Sequence, residues 1–240
     1  TITLHFVDGL RGDDDLTANG EIFDQGGPVS VVHMSEVPAT GQVISYAFGD
    51  DGSTQAGIDW PNPRFIDNRD GTITDILTGL MWLKDGGCIR KTWNSALQTV
   101  ADLNVNPGKH NCLDYSAQHS DWRVPSIREL QSLVNFGTFN TASWLNANGF
   151  RNVKAYPYWS STSYPSSTGT RSTLTSRTIS RYSYVWSLNL TNGSDSAVSS
   201  SNLLYVLPVR YTSGDKPYDI PKTGQKISYA AGDDGDIQAG

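Results

Sequence analysis

An 18-residue block occurs twice in this chain, as TGQVISYAFGDDGSTQAG at residues 40–57 and as TGQKISYAAGDDGDIQAG at residues 223–240. The two copies lie 183 positions apart, and 14 of the 18 positions are identical. A fixed offset between similar blocks is typical of proteins that are built from repeated units. We therefore expect the chain to hold one full repeat unit and the opening of a second, as an excerpt or a processed piece of a longer array.

Each copy of the block contains ISYA, which reads as a short strand leading into the next unit. Such a leader strand would complete a sheet of a neighbouring unit and link tandem copies by self-association. Residues 1–7, TITLHFV, alternate like a strand and precede an Asp-Gly turn. We expect them either to end an upstream β-sandwich or to pair with a neighbouring unit.

The composition favours an extracytoplasmic binding protein over an enzyme. Only 18% of the residues are charged, whereas the chain contains 7 Trp and 11 Tyr in a background rich in Ser, Thr, Asn and Gly. No run of 18 apolar residues occurs, so the sequence predicts no membrane span. The first residues do not form a charged segment followed by an apolar stretch, so any signal peptide would lie upstream or have been removed.

The chain has two cysteines, Cys88 and Cys112. Their spacing fits neither a CxxC redox motif nor a zinc site. A disulfide is the preferred interpretation, and two independent buried thiols are the alternative. A disulfide would indicate an oxidising compartment and would stabilise the fold by roughly 3 to 4 kcal/mol in the chain-entropy model.

Charge is distributed unevenly along the chain. Residues 1–59 contain ten acidic residues and one basic residue, within a net charge of −6. Residues 130–194 contain no acidic residue and five basic ones, which are Arg151, Lys154, Arg171, Arg177 and Arg181. The acidic total disfavours nucleic acid as a partner, whereas a local basic patch could capture an anionic ligand. Scattered, solvated side chains are the alternative interpretation.

A weak calcium pattern lies near the start of the chain. Asp15, Thr17 and Asn19 occupy the first, third and fifth positions of an EF-hand-like loop, but the twelfth position is Gly26 where a Glu is required. An Asp/Asn/Gly turn without metal is the alternative, and residues 49–52, GDDG, leave the same two possibilities open. We expect no cofactor, with calcium as the alternative.

The central part of the chain reads as two helices followed by short strands. Residues 64–75 predict a hairpin in which Asp70 and Gly71 supply the positive φ angles, and residues 78–82 predict a further strand. Thr92 precedes a helical pattern of about twelve residues, and Ser126 with Glu129 forms a capping box for a second helix. Strands are expected at residues 158–162, 184–190 and 203–211. This order of elements predicts an α+β fold.

We divide the chain into four regions. Residues 1–31 are the terminal strand and turn of an upstream β-sandwich-like module, and residues 32–60 are a linker with the first repeated leader. Residues 61–212 are the α+β domain. Residues 213–240 are a linker and the leader of a second repeat.

Residues 61–212 resemble a known family. Six motifs carry the resemblance: RFIDNRDGTITD at residues 64–75, TGLMW at 78–82, DWRVPS at 121–126, EL at 129–130, YWSST at 158–162 and PVR at 208–210. Together they are similar to the Lcl C-terminal family of bacterial surface proteins. The resemblance implies a C-type-lectin-like fold with short antiparallel strands, secretion or surface display, and binding instead of catalysis. It places Trp82, Trp122 and Trp159 in the core, and it suggests that Arg123 and Glu129 pair to fix a turn.

In lectin-like folds the ligand face varies with the long loop before the last strands, which here is residues 163–184. The predicted ligand-binding residues on it are Tyr164, Arg171, Arg177, Arg181, Tyr182 and Tyr184. Arg binds sulfate or carboxylate through paired hydrogen bonds, and Tyr rings offer flat faces to sugars. Sulfated glycosaminoglycans are a ligand class of one branch of the family, so we expect adhesion to a sulfated or uronate polysaccharide. The alternative function is a structural subunit of a repeat-built surface stalk or filament.

An enzymatic function is not expected. None of the four histidines lies in an HExxH or another recognised catalytic spacing. Formylglycine-generating enzymes have a related fold, but their chemistry needs reactive cysteines. A disulfide between Cys88 and Cys112 would consume both thiols.

Overall fold

A computed structural model describes residues 37–165, 184–212, 214 and 216–238, and these residues form an α+β fold. The predicted fold class is therefore confirmed. The expected strand at residues 1–7 and the calcium candidates Asp15, Thr17 and Asn19 lie outside the described residues.

Nine strands in the described residues form two open sheets. In chain order they are β1 (Phe65–Asp67), β2 (Thr72–Asp75), β3 (Leu80–Leu83), β4 (Ile89–Lys91), β5 (Pro157–Ser163), β6 (Tyr184–Asn189), β7 (Asp195–Ser199), β8 (Leu204–Val206) and β9 (Val209–Tyr211). The first sheet has the order β1-β2-β3-β9, and all its neighbours are antiparallel. The second has the order β4-β8-β5-β6-β7 and is antiparallel except where β5 pairs with β8.

Five α-helices lie in the same part of the chain. They are α1 (Asp51–Thr54), α2 (Trp93–Leu103), α3 (Ile127–Ser132), α4 (Thr141–Ala147) and α5 (Asp234–Ile237). The two predicted helices are α2 and α3, and the capping box of Ser126 and Glu129 is present at the start of α3. The helix α4 has no counterpart among the predicted elements. None of the helices in the described ranges is long and apolar enough to cross a membrane.

The predicted hairpin forms from β1 and β2, but its turn differs from the expected one. Positive φ angles occur at Arg69 (62°) and Gly71 (83°), not at Asp70. Asp70 instead accepts hydrogen bonds at Oδ1 from the backbone N–H of Thr72 at 3.0 Å and from its hydroxyl at 2.6 Å. The turn covers residues 68–71, which is longer than the two-residue loop that an Asp-Gly pair indicates.

The predicted final strand at residues 203–211 is in fact two strands in different sheets. β8 pairs with β4 and β5, whereas β9 pairs with β3. Pro208 lies between them and has no N–H to donate to a ladder. Its carbonyl accepts a hydrogen bond from the N–H of Leu83 at 3.0 Å, so the crossing segment joins the two sheets.

Two clusters of buried apolar side chains hold the helices against the sheets. The prediction that three tryptophans belong to the core is confirmed, because Trp82, Trp122 and Trp159 are 0%, 3% and 0% exposed. The suggested pairing of Arg123 with Glu129 is also present, with Nη1 donating to Oε2 at 2.6 Å. This buried pair fixes the turn that precedes α3.

Cys88 and Cys112 form the predicted disulfide, with Cα atoms 5.1 Å apart. Cys88 directly precedes β4, and Cys112 follows the 3₁₀ turn Pro107–His110 that comes after α2. The bond therefore ties the start of an edge strand to the segment that follows the longest helix of the described residues.

Neither copy of the repeated block forms the predicted leader strand. Residues 44–47 and 227–230 are loops, and each leads into a single helical turn, α1 or α5. In the first copy the Asp50 carboxylate accepts hydrogen bonds from the N–H groups of Tyr46 at 2.6 Å and Ala47 at 3.0 Å. In the structure those two N–H groups are therefore engaged by Asp50 and do not pair with a strand.

Candidate functional site

Arg90 and two tyrosines form an exposed cluster at the edge of the second sheet. Arg90 lies on β4 directly opposite Tyr205 on β8, and its Cζ atom is 5.5 Å from the ring centroids of both Tyr205 and Tyr156. The two tyrosine rings are 5.8 Å apart in an edge-to-face arrangement. Tyr156 is 42% exposed. A guanidinium held beside two aromatic rings keeps its charge and loses little side-chain freedom when it binds an anion.

Lys154 precedes Tyr156 by two residues, and a buried tyrosine positions its backbone. The Tyr158 hydroxyl accepts a hydrogen bond from the N–H of Lys154 and donates one to the carbonyl of Gly86, both at 2.8 Å. Burial raises the pKa of Tyr158 above its usual range, so the hydroxyl stays protonated and keeps both bonds. The Lys154 stem crosses Gly87, where an added Cβ would lie 3.0 Å from its Cε atom. We refer to Arg90, Lys154, Tyr156 and Tyr205 as the basic tyrosine surface.

The charge around this surface is positive and unpaired. Four exposed cations lie on β4 and on the segment before β5: Arg90, Lys91, Arg151 and Lys154. Of these, Lys91 directly follows Arg90 on the strand and therefore points to the opposite face of the sheet. Within the described ranges none of them forms a salt bridge. Asp85, in the adjoining loop, is 3% exposed, and its carboxylate accepts hydrogen bonds from the N–H of Gly87 and the side chain of Asn152. The exposed charge available to a ligand is therefore cationic.

The predicted ligand face is described only at its two ends. Tyr164 and Tyr184 are 41% and 46% exposed, and the N–H of Tyr164 donates to the carbonyl of Tyr184 at 2.9 Å. The Tyr164 ring packs edge-on against Trp186 at 5.3 Å. The structure thus brings these two predicted residues together. The other four lie outside the described residues: Arg171, Arg177, Arg181 and Tyr182.

A metal site was an open alternative for the GDDG segment at residues 49–52. Its Asp50 carboxylate caps α1 and accepts three backbone N–H groups, from Tyr46, Ala47 and Ser53. These hydrogen bonds, that of Tyr46 first, lower the pKa of Asp50 to about 2. In the part of the chain that the structure describes, no three His, Cys, Asp or Glu side chains are grouped so that they could hold a metal ion.

Two depressions lie beside the first copy of the block, and both include Ala39 and Trp60 in their walls. Their volumes are about 180 and 220 Å³, below the roughly 300 Å³ at which pockets for small molecules begin.

Sequence reasoning did not find Arg90, Tyr156 or Tyr205. They come from three distant segments and meet only because β8 lies between β4 and β5 in the sheet. The acid-free stretch that contains Lys154 was the one signal for this surface in the sequence. To predict Arg90, Tyr156 and Tyr205 as well, one would have to know that β4 pairs with β8.

Comparison with models of protein families matches residues 71–210 to the Lcl C-terminal domain. A search of curated proteins finds no match. The matched segment contains the disulfide and the whole basic tyrosine surface, whereas both copies of the repeated block lie outside it. It spans more than half of the chain, and this chain therefore belongs to the Lcl C-terminal domain family.

Proposed function

We propose that this domain is an extracellular or cell-surface adhesion module that binds a sulfated or uronate polysaccharide at the basic tyrosine surface. Membership in the Lcl C-terminal domain family indicates a surface-associated binding module in general. The disulfide between Cys88 and Cys112 supports placement in an oxidising compartment. It also supports binding over catalysis, since both thiols are consumed.

The observation that carries this proposal is the position of Arg90 beside two tyrosine rings, at 5.5 Å from the centroid of each. Among the described residues its guanidinium makes one hydrogen bond, from Nε to the carbonyl of Leu203 at 3.3 Å. The Nη groups are left for a ligand and suit the two oxygens of a sulfate or carboxylate. Tyr156 and Tyr205 would pack against the sugar ring that carries the anionic group.

The predicted loop residues Arg171, Arg177 and Arg181 would extend this contact. Tyr156 precedes β5 and Tyr164 follows it. The basic tyrosine surface and the predicted loop face that begins at Tyr164 therefore lie at opposite ends of the strand. At about 3.3 Å per residue, a ligand that touches both has to span roughly 25 Å. A polysaccharide chain has this length, whereas a monosaccharide does not.

Binding of heparin, a sulfated polysaccharide, tests the assignment. In the full chain, Arg90→Ser with Lys154→Ser should weaken binding about tenfold or more, because a charged hydrogen bond contributes roughly 1.5 to 3 kcal/mol. The matched control, Arg69→Ser with Arg128→Ser, removes the same charge elsewhere on the surface and should change the affinity little. Isothermal titration at two salt concentrations measures both, and the affinity should fall with salt because exposed charges are screened within about 8 Å at physiological ionic strength.

Two results would contradict this function. The first is that heparin binding is undiminished in the Arg90/Lys154 variant and also in a variant with Arg171, Arg177 and Arg181 changed to Ser. Neither proposed surface would then bind heparin. Equal losses in the double variant and its control would show that only net charge matters. Thermal unfolding of each variant verifies that the fold is retained.

A structural role in a repeat-built assembly is the second candidate. The observation that favours it is the shared conformation of the two block copies and their contact with the domain at different places. This role is compatible with polysaccharide binding, because the block copies and the basic tyrosine surface involve different residues.

A further inference from the structure

The two copies of the repeated block fold in the same way. The N–H of Tyr46 donates to Asp50 at 2.6 Å, and the N–H of Tyr229 donates to Asp233 at 2.7 Å. The first glycine of each copy has nearly the same positive φ, 85° at Gly41 and 84° at Gly224. The block is therefore a small preformed unit whose conformation does not depend on the surface beneath it.

The first copy contacts the domain through its opening residues. The carbonyl of Thr40 accepts a hydrogen bond from the N–H of Phe136 at 3.0 Å. Gly41 lies so close to Asn135 that an added Cβ would be 2.6 Å from its Oδ1 atom, and a Cβ on Gly137 would overlap the carbonyl of Gly41. This contact is close backbone packing between the block and the loop after α3.

The second copy contacts the same domain elsewhere and through other positions. The side chain of Gln225 accepts a hydrogen bond from the N–H of Ser163 at 2.7 Å, and the carboxylate of Asp234 accepts one from the hydroxyl of Thr162 at 3.0 Å. This contact is with the end of β5. Around Gly224 the space is open, since an added Cβ would meet no atom within 4 Å.

The two copies contact the domain through different block positions, although Gln42, the equivalent of Gln225, is only partly exposed beside Asn135. Tyr46 is 81% exposed, whereas the equivalent Tyr229 is 49% exposed. Asp234 is 1% exposed, whereas Asp51 at the same block position is only partly buried. The first copy contacts the domain at the block positions of Thr40 and Gly41. The second copy contacts it at the block positions of Gln225 and Asp234, which are different positions.

We propose that the block is a two-sided connector, and that one block is held at the same time by two copies of this domain. The end of β5 in the preceding copy binds the Gln225/Asp234 face, and the loop after α3 in the following copy binds the Thr223/Gly224 face. Because each domain carries one surface of each kind, the contact is head-to-tail and can repeat without closing. This inference deepens the structural role proposed above and does not depend on polysaccharide binding.

A tandem protein tests the connector directly. In it, the full chain continues after Gly240 into a second copy of residues 58–238, so that the block at 223–240 lies between two domains. NMR amide exchange should then show the Phe136 N–H of the second domain protected to the same degree as that of the first. NMR relaxation should show both domains tumbling as a single body.

Two variants distinguish this contact from a simple tether. Gly137→Ala in the second domain should expose its Phe136 amide and let the domains tumble separately, whereas Gly108→Ala, at a position with no neighbouring atom within 4 Å, should not. Asp234→Ala should break the contact of the Gln225/Asp234 face with β5 and so release the block from the first domain. Independent tumbling of the unmodified tandem, or a rigid tandem that neither Gly137→Ala nor Asp234→Ala loosens, would overturn the connector.

Discussion

Asp51 and Asp234 occupy the same position of the repeated block but have different surroundings. Each accepts a hydrogen bond from the threonine that opens its block, Thr40 or Thr223. Only Asp234 also accepts one from Thr162 of the domain. The comparison of the two sites therefore isolates the contact between block and domain.

We predict that Asp234→Ala lowers the free energy of unfolding by about 1 to 3 kcal/mol more than Asp51→Ala does, because it leaves the buried Thr162 hydroxyl without its acceptor. Urea denaturation of the full chain measures both values. Equal effects of the two substitutions would mean that the second copy is not held by the domain.

Asp50 should titrate at an unusually low pH. Its folded pKa of about 2 lies below the ordinary value of 3.8, and the hydrogen bond from the Tyr46 N–H is the main cause. A lowered folded pKa adds stability above the unfolded value, and this contribution is lost as the pH falls from about 4 to about 2. Carboxyl ¹³C NMR measures the midpoint, and a midpoint at or above 3.8 would show that the cap is absent in solution.

Residue-level prediction succeeded where the signal was local. The capping box of Ser126 and Glu129 is a four-residue pattern, and it is present as expected. Arg90 could not be found in this way, because its tyrosine partners come from β8 and from the segment before β5. A site assembled by strand pairing is not visible in the sequence around any one of its residues.

At the scale of elements, β4 carries Arg90, the centre of the proposed ligand surface, and directly follows the disulfide at Cys88. We predict that changing Cys88 and Cys112 together to Ser lowers the free energy of unfolding by about 3 to 4 kcal/mol in the chain-entropy model. Amide exchange in β4 should become faster than in β6, which has a neighbouring strand on both sides in the same sheet. Two alkylatable thiols in the native protein without reductant would contradict the disulfide itself.

The block and the last strand explain why some elements were predicted wrongly. ISYA has a strand-like composition, but Gly52 lies against the carbonyl of Ile44, where an added Cβ would clash, and Asp50 binds the N–H groups of Tyr46 and Ala47. These contacts stabilise a compact loop. Pro208 similarly divides an apolar run that looks continuous in the sequence. In both cases one or two specific residues outweigh the average preference of the segment.

At the scale of the whole molecule, the fold class followed from the order of helices and strands, whereas the arrangement of the two sheets did not. The strand order β4-β8-β5-β6-β7 places β8, the second-last strand, between the earlier strands β4 and β5. This crossing creates the basic tyrosine surface at one end of β5 and leaves the opposite end to the second block copy. The proposed ligand surface and the contact of the second block copy therefore involve different residues of the domain.

The most direct test of polysaccharide binding is an NMR titration of the full chain with a heparin-derived hexasaccharide. We predict that the largest shift changes occur at the Arg90 side chain and at the rings of Tyr156 and Tyr205, and that they shrink as salt is added. The basic tyrosine surface is not the ligand site if these three residues show no shift changes, whether the hexasaccharide stays unbound or binds elsewhere.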